Sequence, residues 1–283
     1  MTRLSECKVS NGENIVWGNR TYIMGIINIT PDSFSGDGLG TNIKKIVDQA
    51  QRFEFEGADF LDLGAESTRP GHLQITIEDE IERLIPAIKA VIPKIKIPVS
   101  IDTYKAEVAR QSLEEGASII NDIWGGSADP DIIGVAARFE APVILMHNQA
   151  SPKYGNLITD VTHNLTASRQ RALDFGIAND NIILDPGIGF AKTPDHNLEI
   201  LQRLGDFKTI GNPILVGASR KSTIGLVLDL PVEERLEGTA ATVALSIAAG
   251  ADIIRVHDVK EMRRVSKMSD AIIRGWRPDN WMK

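Results

Sequence analysis

The sequence predicts an α/β protein with the (β/α)8 TIM-barrel architecture, and two observations carry this prediction. Eight short apolar runs recur along the 283-residue chain, and segments with helical periodicity separate them. Each apolar run also ends in polar residues that are able to bind a ligand or take part in catalysis. In an α/β barrel the carboxyl ends of all eight parallel strands meet at one face, and that face carries the active site.

The apolar runs are nearly continuously hydrophobic, as is typical of parallel strands that are buried on both faces. We predict strands at 22–28, 60–64, 98–102, 118–122, 142–147, 182–186, 213–218 and 253–257. We predict helices at about 43–56, 77–92, 104–115, 130–139, 160–175, 195–204, 233–249 and 259–274. One strand with its helix then takes roughly 33 residues, which is a typical length for this architecture.

Three Gly-Ala pairs support the predicted order of helix followed by strand. Gly57-Ala58, Gly116-Ala117 and Gly250-Ala251 each follow a helical pattern and precede an apolar run. Glycine at such a point is typical of a helix C-terminus that leads directly into a strand.

The domain organisation follows from the absence of any Pro/Gly/Ser-rich linker in the sequence. We therefore predict a single barrel domain over 21–275, with an N-terminal extension at 1–20 and a C-terminal tail at 276–283. The extension is expected to form a short β-hairpin over the bottom of the barrel, with Trp17 packed there.

Composition and charge exclude several classes of function. The 31 basic and 38 acidic residues give a formal net charge of −7, which argues against binding of nucleic acid through bulk electrostatics. The longest uncharged stretch, 238–251, is too short to span a bilayer, so no membrane association is expected. The single cysteine, Cys7, cannot form an internal disulfide, and residues 1–20 show no signal-peptide core. We therefore expect a cytoplasmic protein.

Three polar residues each close one of the predicted strands. Asp102 ends the third strand, Asn121 the fourth and Asp185 the sixth. Carboxylates and an amide that face the barrel interior can pair with a flat heterocycle rich in N–H donors and ring nitrogens. Each residue alone could instead cap the following helix, but three that converge at strand ends favour a binding site.

Cations follow the seventh and eighth strands, where barrels of this kind frequently bind phosphate. Lys221, Arg255 and His257 supply the positive charge that such a site needs. A lone Lys221 could also be a solvated surface residue. Arg255 lies between Ile254 and Val256 in an apolar strand, where an unpaired guanidinium would be costly. It therefore needs either a bound anion or a buried carboxylate.

Two loops after the first and second strands are rich in Gly and Pro, at 30–40 and 67–71. The first is far longer than an ordinary loop of this architecture, and long loops at the catalytic face are typically functional. We interpret both loops as mobile walls of the site. His147, at the end of the fifth strand, is interpreted as a structural or pocket-wall residue, because no cluster with metal-ligand spacing surrounds it.

Together these residues resemble the dihydropteroate synthase family of pterin-binding barrels, over roughly residues 17–273. The resemblance rests on four motifs in the family's order, at 25–35 (GIINITPDSFS), 66–71 (ESTRPG), 185–190 (DPGIGF) and 219–222 (SRKS). The sequence departs from the family's usual pattern at Ala65, at 35–38, at Asn148 and at Ala150. None of these departures removes a proposed ligand.

The resemblance implies that 6-hydroxymethyl-7,8-dihydropterin diphosphate condenses with 4-aminobenzoate to give 7,8-dihydropteroate and pyrophosphate, with Mg²⁺ as cofactor. It also implies a homodimer and inhibition by sulfonamides. The residues implied for the pterin ring are Asp102, Asn121, Met146, Asp185, Phe190 and Lys221. Those implied for the diphosphate are Asn28, Thr68, Arg69, Arg255 and His257, with Asn28 as the Mg²⁺ ligand. Those implied for aminobenzoate are Phe34, Thr68, Pro70, Phe190 and Ser222. Those implied for catalysis are Asp102, Lys221 and Asp32.

Three alternatives remain open from the sequence. A pterin-dependent methyltransferase domain shares this barrel but needs neither a diphosphate site nor an aminobenzoate loop. A Schiff-base aldolase could use Lys221, although such a lysine usually lies within a strand and faces the barrel interior. A catalytically silent pterin-binding paralogue is the third alternative, because a fold does not guarantee an activity.

Overall fold

The computed structural model describes residues 6–9, 14–30, 40, 42–66, 74–278 and 281. Near the N-terminus, strands β1 (Glu6–Cys7) and β2 (Ile15–Val16) pair antiparallel and form the predicted hairpin. The barrel strands are β3 (Tyr22–Asn28), β4 (Phe60–Gly64), β5 (Val99–Asp102), β6 (Ile119–Asp122), β7 (Val143–Met146), β8 (Ile182–Asp185), β9 (Leu215–Val216) and β10 (Ile253–Val256). All of their pairings are parallel.

The strands form one sheet in the order β8-β7-β6-β5-β4-β3-β10-β9. The two ends of this sheet meet through a parallel bridge between Leu184 and Ile214 and through a hydrogen bond of 2.9 Å from the Leu184 N–H to the Pro213 carbonyl. The sheet is therefore a nearly closed barrel, and the predicted TIM-barrel fold is confirmed.

Helices surround the barrel between successive strands. They are α1 (Ile43–Glu56), α2 (Ile77–Val91), α3 (Ala106–Glu114), α4 (Asp131–Arg138), α5 (Leu157–Asp174), α6 (Pro194–Gln202), α7 (Ser222–Leu228), α8 (Leu236–Ala248) and α9 (Val259–Ile273). Polar side chains cap several N-termini: Asn42 accepts from the Lys45 N–H and Asn156 from the Thr159 N–H. Among the described helices, none combines the length and the apolar character that a membrane span requires.

The three Gly-Ala pairs end helices as the sequence predicts. Gly57, Gly116 and Gly250 have φ values of 96°, 99° and 98°, in the left-handed region that favours glycine. Each alanine N–H then bonds back to the carbonyl of the residue five positions earlier, which closes the helix before the strand begins.

The largest differences from the predicted elements lie around the seventh barrel strand. Regular pairing covers only Leu215–Val216 instead of 213–218. Pro213 has no N–H to donate to a ladder, although its carbonyl accepts from Leu184. The helix expected at 233–249 begins at Leu236, after a short 3₁₀ turn at Val232–Glu234. The helix expected from 160 begins at Leu157, because Asn156 caps it one turn earlier.

The N-terminal hairpin covers the bottom of the barrel. Its apolar residues join a buried cluster with the first residues of the strands: Cys7, Val9, Ile15, Trp17, Tyr22, Met24, Phe60, Ile119, Ile144, Ile183, Leu215 and Ile253. The Trp17 and Tyr22 rings pack edge to face with 5.8 Å between centroids, and Trp17 Nε1 donates to the Asp180 carbonyl at 3.1 Å. The predicted packing of Trp17 is confirmed, and it lies at the end of the barrel opposite the strands' carboxyl ends.

Replacement of Trp17 should therefore reduce stability without changing the site. We expect Trp17→Ala to lower the free energy of unfolding by about 3–5 kcal/mol, because it removes a buried ring and its hydrogen bond. Urea denaturation followed by circular dichroism measures this change. Trp281→Ala is the matched control, since Trp281 is 61% exposed and Trp17 only 5%. Equal losses for the two variants would contradict the role given to Trp17.

Candidate active site

The carboxyl ends of the barrel strands bring the predicted ring-recognition residues together. Asp102 and Asn121 are direct neighbours in the β5–β6 ladder, and Met146 pairs with Asp185 between β7 and β8. All four side chains are buried. None of them is the N-cap of a helix in this structure, so the alternative of helix capping does not account for them.

Arg255 connects two buried carboxylates inside the barrel. Its Nε donates to Asp62 Oδ2 at 2.6 Å, and its Nη2 donates to Asp102 Oδ2 at 2.8 Å. Asn121 Nδ2 donates to the same Asp62 oxygen at 3.0 Å. The sequence left open whether Arg255 binds an anion or a buried carboxylate. In the described part of the structure, its partners are the buried carboxylates of Asp62 and Asp102. Its predicted contact with a diphosphate stays a prediction.

Asp62 is a site residue that the sequence analysis missed. The signal was present, because Asp62 interrupts the apolar run of β4 just as Arg255 interrupts the apolar run of β10. A charged residue inside a strand that is buried on both faces needs a partner of opposite charge. Two such residues in one barrel could have been paired with each other.

The Asp102 carboxyl is neutral more readily in this buried position than it would be in water. Burial raises the pKa of Asp102 to about 7, with Arg255 acting to lower it and Asp62, Glu80 and Asp122 to raise it. Asp102 Oδ1 and Asp62 Oδ1 are both buried without a hydrogen-bond partner among the described residues. Such acceptors are suited to the N–H groups of a bound ligand, since a buried polar atom without a partner is costly.

Lys221 lies against the segment that follows β8. Its Nζ is 4.4 Å from the centroid of the Phe190 ring and donates to the Ile188 carbonyl. Burial lowers the pKa of Lys221 to about 8, although Asp185 acts to raise it. Lys221 is therefore not a solvated surface lysine. Gly189 makes this approach possible, because a Cβ at Gly189 would lie 2.9 Å from Lys221 Cδ.

Asp185 is held by the turn that follows its strand. Its Oδ1 accepts from the Gly187 N–H at 2.7 Å, and burial raises the pKa of its carboxyl. Gly187 packs so closely on His147 that a Cβ would lie 2.1 Å from the His147 carbonyl oxygen. The turn that carries Asp185 and Phe190 is therefore fixed against the end of β7.

Arg220 has a left-handed backbone conformation, with a φ of 57°. This conformation sets the direction of the chain between Ser219 and Lys221. Its N–H donates to Thr239 Oγ1 at 3.1 Å, and its guanidinium donates to both oxygens of Asp258, at 2.9 and 2.5 Å. These bonds hold a conformation that costs energy in any residue other than glycine. Lys221 follows directly, and Ser222 begins α7.

His257, from the end of the last barrel strand, lies beside Ser219. The distance from His257 Nδ1 to Ser219 Oγ is 3.0 Å, and the His257 backbone N–H also donates to that oxygen at 3.2 Å. Asn28 ends β3 and is paired in register with Gly64 of β4. Both residues therefore lie at the same barrel face as Asp102 and Asp185.

His147 is buried and paired with a lysine that the sequence analysis did not single out. Its Nδ1 is 2.9 Å from Lys192 Nζ, which also donates to the Phe190 carbonyl at 3.0 Å. Burial and the Lys192 charge lower the pKa of His147 to about 3, and burial lowers the pKa of Lys192 to about 7.

Within the described ranges, no group of three or more His, Cys, Asp and Glu residues could hold a metal ion.

Five predicted residues lie outside the described part of the chain. They are Asp32, Phe34, Thr68, Arg69 and Pro70.

Comparison with known proteins gives the family of the chain. The family model described as "Pterin binding enzyme" matches residues 24–257. A dihydropteroate synthase of Clostridium beijerinckii is 52% identical over 258 residues, which are 91% of this chain and 96% of that protein. The chain belongs to the dihydropteroate synthase family of pterin-binding enzymes.

Solved structures of the dihydropteroate synthase family share the fold over nearly the whole chain. A Clostridium difficile dihydropteroate synthase, determined in the presence of pteroic acid, has a TM-score of 0.88 at 45% identity and covers 91% of this chain and 98% of its own. A Yersinia pestis dihydropteroate synthase in a sulfonamide complex has a TM-score of 0.91 at 36% identity and covers 96% and 100%. The resemblance inferred from the sequence motifs is confirmed.

A buried triad of charges lies beside the site. Lys105 Nζ is 2.5 Å from both Glu66 Oε2 and Glu80 Oε2, and it donates to the Ile75 carbonyl at 3.0 Å. Tyr104 OH donates to the other Glu66 oxygen at 3.1 Å. Lys105 thus ties the end of β4 to the start of α2. Sequence reasoning missed this triad because its members are far apart in the chain.

Removal of the Lys105 charge should destabilise the fold strongly. We expect Lys105→Met to lower the free energy of unfolding by about 3–5 kcal/mol at neutral pH, because two buried carboxylates would lose their cation. Thermal or urea unfolding measures the change. Lys89→Met is the matched control, since the Lys89–Glu115 pair is largely exposed and should contribute about 0–1 kcal/mol. A Lys105→Met protein as stable as the control would contradict this assignment.

Proposed function

We propose that this protein condenses 6-hydroxymethyl-7,8-dihydropterin diphosphate with 4-aminobenzoate and releases 7,8-dihydropteroate and pyrophosphate. The observation that carries the proposal is the convergence of Asp102, Asn121, Asp185 and Lys221 at one end of the barrel. The chain is also 52% identical to a dihydropteroate synthase over most of its length.

The pocket matches the hydrogen-bonding edge of a pterin. A dihydropterin presents an amino group and ring N–H groups as donors and one carbonyl oxygen as an acceptor. Asp185 is an acceptor, as is Asp102 Oδ1, which has no partner among the residues that the structure describes, and Lys221 is a donor. Met146 and Phe190 supply apolar surface for the ring faces.

The leaving diphosphate needs positive charge at the mouth of the pocket. His257 and Arg255 lie at the end of the last barrel strand and supply cationic or N–H donor groups. Asn28 would hold Mg²⁺ through its side-chain oxygen, together with substrate and water oxygens. One protein ligand fits this ion, which keeps several waters and binds substrate phosphates. When bound, Mg²⁺ neutralises charge on the leaving group.

Asp102 is the group that we assign to stabilise the pterin after the diphosphate leaves. Departure of the diphosphate leaves a cation delocalised over the ring and its exocyclic carbon, as in an SN1-like step. A fixed carboxylate beside that charge lowers the barrier. Because burial raises the pKa of Asp102 to about 7, its carboxylate form gains population as the pH rises through neutrality. Activity should therefore rise with pH in this range.

The second substrate would bind beside the exposed edge of the pterin. Phe190 and Ser222 are the described residues that we assign to aminobenzoate. The Phe190 ring lies against Lys221 Nζ, and Ser222 follows Lys221 in the chain. The amine attacks the exocyclic carbon and then loses a proton. The relatives described above are dihydropteroate synthases, which supports this function over the methyltransferase and the aldolase.

A homodimer in the cytoplasm is part of the proposal. Support for the dimer comes from exposed apolar side chains on three consecutive helices: Leu226 and Val227 on α7, Leu245 on α8, and Met268 and Ile272 on α9. Apolar surface of this kind commonly marks an interface. The single cysteine fits a reducing compartment.

Incubation of the purified protein with the pterin diphosphate, 4-aminobenzoate and Mg²⁺ tests the function. Wild type should release pyrophosphate and form dihydropteroate. Lys221→Ala and Asp185→Ala should each lower kcat/KM by about 10²–10³-fold, because each removes a buried polar partner of the ring. Lys89→Ala, an exposed lysine far from the site, is the control. Full activity of both site variants would refute the assignment.

Asn28→Ala tests the metal assignment. We expect the Mg²⁺ concentration for half-maximal activity to rise by about tenfold or more, because the ion would lose its protein ligand. Asn121→Ala is the matched control, since this amide should affect KM for the pterin and not the Mg²⁺ requirement. The measurement is a Mg²⁺ titration of the initial rate. Identical Mg²⁺ curves for wild type and Asn28→Ala would argue against this role.

A further inference from the structure

Asp62 is fully buried in the middle of β4, and the chemistry proposed above does not use it. Its Oδ2 accepts from Arg255 Nε on β10 and from Asn121 Nδ2 on β6. In the sheet, β6 lies two strands from β4 on one side and β10 lies two strands from β4 on the other. One carboxylate oxygen therefore ties three strands together across the barrel interior.

The first consequence concerns the orientation of the Asn121 amide. An asparagine side chain has one acceptor oxygen and one NH₂ group with two donors. Because the Asp62 oxygen is an acceptor, only the NH₂ group of Asn121 can face it. A rotated amide would place two acceptors together. Asp62 therefore decides which end of the Asn121 amide is offered to a ligand.

The second consequence concerns the Arg255 guanidinium. Its Nε is bound by Asp62 and its Nη2 by Asp102. A planar guanidinium whose Nε and Nη2 are each bound by a different carboxylate is fixed in one orientation. The Asp102 carboxylate is fixed by the same contact, because its Oδ2 is occupied and its Oδ1 is left for a ligand.

We propose that Asp62 is a positioning residue of the pterin site, which sets the orientation of the Asn121 amide and of the Arg255 guanidinium, and through Arg255 that of Asp102. This inference rests on the proposed function, since it assigns Asp62 to the recognition of the first substrate. Asp62 acts through these three side chains and is not itself a catalytic residue.

The charge of Asp62 gives the proposal a specific electrostatic signature. The ionisable groups that act on Asp102 are Arg255 from β10, Asp62 from β4, Glu80 from α2, Asp122 from β6 and Lys221 from the segment before α7. Loss of the Asp62 charge removes one negative neighbour of Asp102 and removes the carboxylate that competes with Asp102 for hydrogen bonds from Arg255. Both changes lower the pKa of Asp102.

Two substitutions separate the geometry from the charge. Asp62→Ala releases both Arg255 and Asn121, whereas Asp62→Asn keeps an acceptor oxygen but loses the charge. Ser100→Ala is the matched control, because Ser100 is the register neighbour of Asp62 on β5, is buried, and has no hydrogen-bond partner for its hydroxyl among the described residues. Thermal melting of each variant reports whether it is folded.

Steady-state kinetics with each substrate varied, between about pH 5 and about pH 9, is the test. We expect Asp62→Ala to lower kcat/KM for the pterin diphosphate by about 100-fold and to leave KM for 4-aminobenzoate within about twofold. Asp62→Asn should recover most of this loss, to within about tenfold of wild type. Its activity should also persist to lower pH than that of wild type, because the pKa of Asp102 is lowered.

The outcomes separate the inference from the function on which it rests. Wild-type kinetics in Asp62→Ala, or an equal rise in KM for both substrates, would overturn the inference while the proposed function stands. If activity of Asp62→Asn falls at the same low pH as that of wild type, the inference is likewise overturned. This variant alone tests the inference if Asp62→Ala does not fold. A wild-type protein that releases no pyrophosphate overturns the proposed function and the inference together.

Discussion

The guanidinium of Arg255, shared between Asp62 and Asp102, is the interaction on which the rest of the site depends. Three charges lie in the barrel interior, where a single unpaired ion would be very costly. Each carboxylate keeps one oxygen that has no hydrogen-bond partner in the described part of the chain. The protein therefore holds its strands together with charges and still leaves acceptors for a ligand. Those acceptors suit a heterocycle rich in N–H groups, such as the proposed pterin substrate.

Other buried charges near Arg255 also lie beside groups of opposite charge. Asp185 faces Lys221 and Lys192, and both lysines have a lowered pKa because burial outweighs the attraction of the carboxylate. Lys105 neutralises Glu66 and Glu80 beside the second loop. Apolar residues fill the bottom of the barrel, whereas the predicted ring-recognition residues lie at the carboxyl ends of the strands. The apolar cluster and the candidate site thus lie at opposite ends of one barrel.

The sequence predicted the barrel and the convergence of Asp102, Asn121 and Asp185 at its carboxyl end because both depend on local patterns. Apolar runs, helix-ending glycines and strand-end polar residues each leave a signal within a few positions. Lys105 and Lys192 were not predicted, because their importance comes from partners that are distant in the chain. Asp62 was missed although its charge interrupts the apolar run of β4, and its partners are equally distant. Asp62 is 193 residues from Arg255, and Lys105 is 39 residues from Glu66. The shortened strand β9 was also missed, since its apolar run continues beyond the paired residues.

We propose that the planar fork of Arg255, and not its charge alone, organises the pterin site. Calorimetric titration of pteroic acid into wild type and Arg255→Lys tests it most directly, because lysine keeps the charge but cannot bridge two carboxylates with fixed geometry. We expect an affinity at least about tenfold lower for Arg255→Lys, with the protein still folded. Equal affinities for the two proteins would contradict it.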